Sequence, residues 1–329
     1  MMIGCYVTGI LPRPSELIEK TRAYERKRIS EEELEKSFSE AAETVIKTQV
    51  SKGLTYITDG MLRWQDLLRP FAEGLKGVKV GSLARWFNNN TFYRKPIIVD
   101  AVERERDIIK DITYLDKLPR DHSWKAVLPA PYTFMSLSEN RYYKDETELL
   151  FKLAEIINEE IKSLAEAGFK YVQLSDPALV YKPLKPKMEK DRLNLVCDAL
   201  KVAVKGAPVK VCLQTFFGDF SEILPNALDF PVDDLGIDFY ETNIEKLKAY
   251  SFEKGVSLGL VDSRSSLVEN EEELVKTAKE VIEAVYPSKT RDVFISPNCD
   301  LEFLPWKRAE EKIRVISEVA KKLGGILNG

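Results

Sequence analysis

The stretch AEAGFKYVQLSDP, Ala165 to Pro177, decides the fold. A charged helical segment reaches Gly168, the residue type that best ends a helix in a left-handed turn. An apolar run, Tyr171–Leu174, follows and stops at Ser175-Asp176-Pro177. SFEKGVSLGLVDS, Ser251 to Ser263, repeats the unit of helix end, glycine, short apolar strand and polar loop. Working outward, β-rich runs at Ile3–Val7, Thr55–Thr58, Ala126–Leu128, Val209–Leu213, Leu235–Phe239, Ser257–Val261 and Val293–Ile295 each lead into turn residues. Between them, apolar residues recur at three- and four-residue spacing over Glu32–Ser51, Glu146–Ala167, Leu193–Lys205, Ile244–Glu253, Glu271–Ala284 and Trp306–Leu323, the mark of helices covering a sheet. Eight strands alternating with helices predict an α/β chain, a single (β/α)8 TIM barrel over residues 1–329.

The second βα connection departs from this rhythm, because roughly sixty residues separate Asp59 from the third strand. Within it, RWFNNNTFYRKPIIVDAV, Arg85 to Val102, alternates aromatic, polar and β-branched residues around an Asn run. That pattern predicts a hairpin arm inserted after strand 2 and lying over the barrel mouth. Pro12 to Arg28 reads as a helix, and Ser30 with Glu33 as the capping box of the next one. No linker, low-complexity tract or internal repeat divides the chain.

Composition narrows the function classes. The formal net charge is −4 and cations are spread along helices that also carry acids, so no nucleic-acid face is expected. The four cysteines (Cys5, Cys197, Cys212, Cys299) are far apart with no CxxC pair, as in thiols of a reducing compartment. Neither a signal peptide nor a run of eighteen apolar residues is present, so a soluble, cytoplasmic protein is expected.

In a barrel of this kind the strand C-termini share one mouth, and catalytic groups come from several of them. The polar residues there are Thr8, Asp59, Arg63, Thr133, Ser175, Asp176, Gln214, Glu241, Asp262, Arg264, Asn298 and Cys299. Ser175, Asp262 and Thr242 are equally suited to capping the helices that follow. TDGMLRWQDLLRP, Thr58 to Pro70, groups Asp59, Arg63, Asp66 and Arg69 around Trp64, acids for an amine and an indole for stacking. The same grouping also fits a salt-bridged helical turn. A catalytic zinc needs about three ligands of His, Cys, Asp or Glu type. Glu241 and Cys299 could supply two, the sole histidine, His122, precedes strand three at the opposite face, and Cys212 lies two residues before its strand's end. No GxGxxG, P-loop or GxSxG element occurs, which weakens dehydrogenase, kinase and hydrolase readings.

Taken in order, the strand-end segments resemble the cobalamin-independent methionine synthase family, in its single-barrel archaeal form, among the uroporphyrinogen decarboxylase-like barrels. ITDGMLRWQDLLRP resembles the family's DGE-containing segment, RWFNNNTFYRKP its arm, LPAPYTF its GPVT-type third strand and VQLSDPALV its DEPAL motif. LQTFFGDF, PVDDLGIDFYET, LGLVDSRSS and ISPNCDLEFLP complete a series that covers nearly the whole chain.

The resemblance implies methyl transfer to homocysteine from a methylated folate, with the thiolate made on a zinc ion. That zinc is held by a His-x-Cys pair after strand five, a Glu after strand six and a Cys after strand eight. Glu241 and Cys299 match the last two, whereas Gln214 and Phe216 stand at the positions of the pair. Met61 replaces the glutamate of DGE, and Ser175-Asp176 stands where the family has the Asp-Glu expected to hold the amino acid's ammonium. The segments around LQTFFGDF resemble the metal-free N-terminal barrel of two-barrel members more than the zinc-bearing one. An accessory barrel is therefore expected, one that binds the methyl donor or partners a separate zinc-bearing methionine synthase barrel. The alternatives are a complete methyltransferase with zinc on Glu241, Cys299 and unrecognised ligands, or methyl transfer from a corrinoid donor. Substrate-binding residues expected on this basis are Asp59, Arg63, Trp64, Asp66, Asp176 and Gln214, with Arg63, Arg69 and Arg94 as basic groups near a wide mouth.

Overall fold

The computed structural model describes residues 2–87, 91–183, 189–286 and 291–328. Eight parallel strands form one sheet: β1 (Ile3–Cys5), β2 (Tyr56–Ile57), β3 (Ser123–Pro129), β4 (Tyr171–Ser175), β5 (Lys210–Gln214), β6 (Asp234–Asp238), β7 (Gly255–Val261) and β8 (Val293–Pro297). β8 pairs with β1, and β3 through β8 pair in chain order. β2 pairs with β3 on one side. On its other side the Thr55 N–H donates to the Cys5 carbonyl at 2.9 Å, and the Cys5 N–H to Thr55 Oγ1 at 3.0 Å, so the seam of the barrel is drawn together without a full ladder.

Each strand lies within a few residues of its expected position because turn residues bracket every one. Helices Glu31–Lys52, Glu146–Glu166, Lys190–Ala203, Glu271–Val285 and Trp306–Asn328 cover the sheet. Ser30 and Glu33 make the reciprocal capping box, and Gly53 ends that helix at φ 80°. One expectation fails: the helix over Ile244–Glu253 stops at Leu247. Beyond it Phe252 is buried and its N–H is taken by the Val285 carbonyl, so docking on the neighbouring helix replaces further helical bonds.

The arm is present. Leu75–Arg85 and Phe92–Arg104 pair antiparallel, and the short strand Glu139–Asn140 joins the second of them. The Asn run of the arm, positions 88 to 90, lies outside the described residues.

Inward side chains at the lower end of the barrel are aromatic. Tyr6, Tyr56, Tyr171 and Phe294 meet with ring centres 4.5 to 6.3 Å apart, and Cys212 packs among them. This floor leaves the polar residues of the strand C-termini to the other end, where the loops converge.

Candidate functional site

At the C-terminal ends of β6, β7 and β8 the chain builds a connected polar rim. Asp238, the last residue of β6, accepts the N–H groups of Phe217 and Tyr240 at 3.1 and 3.0 Å and the Asn298 side-chain amide at 3.2 Å. Burial still lifts its carboxyl to about 6. Holding its amide toward Asp238 leaves Phe217 at φ 67°, a left-handed conformation that costs a side-chain-bearing residue of order 1 kcal/mol. The Phe217 ring packs on Phe216 and on Phe87 of the arm, and Phe87 in turn meets Tyr181. An aromatic roof thus runs from the arm to the loop after β5.

The zinc positions of the family can be followed residue by residue. Cys299 is fully buried, its carbonyl accepts the hydroxyls of Thr8 and Ser263 at 2.5 and 2.7 Å, and burial pushes its thiol well above the usual range. Glu241 instead faces a groove of about 450 Å³ beside Tyr181, Lys182 and Phe217, and its carboxylate is paired with Arg264 at 3.0 Å. Arg264 also lies 3.7 Å from Asp262 and over the Phe217 ring. Gln214 offers only an amide, and Phe216 is a buried ring that can ligate nothing. Among the described residues no three His, Cys, Asp or Glu side chains form a metal-holding group. The donors present do not fit a zinc ion.

The segment after β2 is tied into the structure. Asp59 accepts the N–H groups of Met61 and Tyr114 at 2.9 and 3.2 Å, and Met61 itself takes φ 54°. Trp64 lies in the hydrophobic core, not on an open face. Arg63 stacks on Tyr114, donates to its hydroxyl at 2.9 Å and pairs with Glu35. Asp66 accepts from the Leu68 and Arg94 N–H groups at 2.9 and 3.1 Å, so it anchors the arm to the mouth.

Beneath that anchor, arm and mouth enclose a cavity of about 220 Å³ between Asp66, Trp86, Phe92, Asp300 and Glu302. Burial, then mutual repulsion, pushes the Glu302 carboxyl up; burial does the same to Asp300. Asp300 lies so close to Gly9 that an added Cβ there would fall 1.7 Å from its Oδ1, so any side chain at position 9 would force Asp300 to move.

Asp176 and Gln214 end neighbouring strands. The Asp176 N–H donates to the Gln214 carbonyl at 2.8 Å, and Thr133 donates its hydroxyl to Asp176 Oδ1 at 2.6 Å. Asp176 Oδ2, Gln214 Oε1 and Gln173 Oε1 are buried without a hydrogen-bond partner. Burial lifts the Asp176 carboxyl to about 7, so near neutrality much of it is the acid. Ser175 points inward and accepts from Gln173 Nε2 at 2.9 Å.

The structure therefore brings Glu241 and Arg264 together, and Asp66 with Asp300 and Glu302, but it spreads the other expected residues around the mouth. Sequence reasoning missed Asp238, placed inside its strand, and Lys125, which preceded the expected strand three. Lys125 is buried in the lumen, donates to the Val7 carbonyl at 2.5 Å, and burial pulls its ammonium down to about 7. Its two-residue offset from Val127 was the available signal that it points inward.

An α/β barrel with an arm over its mouth and a polar rim at its strand ends is the class of protein that this geometry defines. Residues 3–322 match the model of the family described as cobalamin-independent synthase, catalytic domain. A methionine synthase of Saccharolobus solfataricus is 32% identical over 330 residues, 97% of this chain and 96% of that protein. One from Sulfolobus acidocaldarius is 28% identical over 97% and 93%. Among solved structures, a B12-independent methionine synthase from Shewanella sp. W3-18-1 in complex with selenomethionine superposes with a TM-score of 0.82 at 20% identity, covering 100% of this chain and 99% of that one. The chain belongs to the cobalamin-independent methionine synthase family.

Proposed function

We propose that this chain serves methionine synthesis as a metal-free accessory barrel, binding the methyl donor or assisting a separate zinc-bearing barrel of the family. The Glu241–Arg264 pair carries the reading. A guanidinium sits on the carboxylate that would otherwise face a metal, and a fixed positive charge there opposes a second cation. Gln214 and Phe216 remove two more donors, and the sealed Cys299 thiol would have to lose its proton to bind metal.

The decisive measurement is metal content together with turnover. Protein purified without chelator is expected to hold no stoichiometric zinc and to form no methionine from homocysteine and a methylated folate. Added to a zinc-bearing family barrel, it is expected to raise that barrel's rate. One zinc per chain with unaided methionine formation would overturn the reading.

The match to a catalytic-domain model favours a second reading, an active homocysteine S-methyltransferase using a methylated folate or a corrinoid donor. It requires Glu241 to leave Arg264 and two further ligands to be recruited.

A further inference from the structure

The cavity beneath the arm holds acid without a counter-charge. Asp66, Asp300 and Glu302 all line it. Asp66 is partnered, by the Leu68 and Arg94 N–H groups and by Arg69 at 3.7 Å. Among the described residues neither Asp300 nor Glu302 forms an ion pair; the Ile10 N–H alone reaches Asp300, and no donor reaches Glu302. The cations that act on them from a distance are turned elsewhere. Arg13 donates to the Leu62 and Trp64 carbonyls at 3.0 and 3.4 Å, and Lys125 to the Val7 carbonyl at 2.5 Å. A second observation is independent of the acids: the Thr91 hydroxyl lines the same cavity, buried and without a hydrogen-bond partner. Trp86, which is buried, and Phe92, which is half exposed, add aromatic rings to the walls.

We infer that this cavity binds a small primary amine as its ammonium, one with no carboxylate beside the nitrogen. An ammonium has three donors and no acceptor, and Asp300, Glu302 and Thr91 Oγ1 are acceptors with room for them. The two carboxyls give a cation taken out of water the partner it needs, and the rings of Trp86 and Phe92 attract positive charge to their faces. A hard metal ion fits worse, because it takes six or more oxygen ligands and aromatic rings supply none. An amino acid fits worse too, because its own carboxylate would be held against the acids. At about 220 Å³ the cavity has the volume of about seven waters, which suits a short aliphatic chain. The inference goes beyond the accessory role and stands whether or not that reading holds.

Calorimetry on the full chain tests this with matched probes: n-pentylamine, n-pentanol, which lacks the charge, and L-norleucine, which is pentylamine with an added α-carboxylate. Pentylamine is expected to bind, and the other two to bind at least about tenfold more weakly. Glu302→Gln, close in shape, should weaken pentylamine about tenfold and leave pentanol unchanged. Phe92→Ala, at an exposed position, should weaken pentylamine about threefold. Pentylamine that binds no better than pentanol overturns the inference, as does a folded Glu302→Gln chain that binds it as wild type does. Norleucine that binds as tightly as pentylamine overturns it as well, because the cavity would then be an amino-acid site. The probe comparison uses wild type alone, so it decides the matter even where a variant fails to fold.

Discussion

The Arg264 guanidinium stands 3.0 Å from the Glu241 carboxylate, across the ends of β6 and β7. By the resemblance this glutamate corresponds to a zinc ligand of the family, and here its carboxylate is half of an ion pair. Both side chains are about one-third exposed, where such a pair contributes at most about 1 kcal/mol. The pair occupies the carboxylate without holding it strongly.

Under the proposed metal-free reading, a pair this weak should be easily undone by substitution. Restoring donors with Gln214→His and Phe216→Cys, and freeing Glu241 with Arg264→Ala, is expected to give about one zinc per chain. Arg264→Ala alone should give none. Elemental analysis of the variants reads this directly; a triple variant that folds and stays metal-free would show that backbone placement, not residue identity, excludes the ion.

Asp176 should make stability fall as pH rises. Its folded value, about 7, lies above its ordinary 3.8, so between these the native state holds a proton that the unfolded chain has released. Stability from this group is full below about pH 4 and declines up to about pH 7. Asp176→Asn, which imitates the protonated form, is expected to gain on wild type by up to about 4 kcal/mol at pH 8 and by little at pH 4. Urea unfolding at the two pH values measures the difference, and a constant difference would contradict the shift.

Lys125 predicts the opposite slope. Its folded value, about 7, lies below its ordinary 10.5, so the unfolded chain binds the extra proton and stability rises with pH across that window. Lys125→Met should gain most on wild type near pH 7 and lose that advantage toward pH 10. Denaturation over this range should show the two curves converging.

Gly9→Ala should cost about 1 to 3 kcal/mol, because its Cβ would meet Asp300. Asp300→Ala in the same chain should return most of that loss, giving a clear coupling in a double-mutant cycle. Additive effects would mean that the loop after β1 moves aside freely.

The barrel was legible because each strand is short, apolar and closed by Gly, Pro, Ser or Asp, and because the helices between keep a steady period. The arm was legible from its alternation alone. The helix after β6 is shorter than its spacing predicts: the apolar residues up to Phe252 keep a helical period, yet Phe252 is bonded to Val285 far along the chain. At the site, Gln214 and Phe216 were readable as residues that differ from the family's His-x-Cys pair. The pairing of Glu241 with Arg264 was not, since it joins two loops whose approach depends on strand register. Nor were the left-handed turns at Met61 and Phe217, because neither position carries the glycine that would announce one.

The seam between β1 and β2 has a consequence for assembly. β1 takes its ladder from β8, and the Met2 N–H reaches Asp292 across 290 positions at 2.7 Å. Toward β2 it has only the Thr55 contacts. On a ribosome, then, the first strand made has to wait for the last before it gains its main partner, and closure of the barrel is a late, non-local event with the loop entropy that such pairing carries. Until Val293–Pro297 emerges, the aromatic floor around Tyr6 lacks Phe294 and stays open to water.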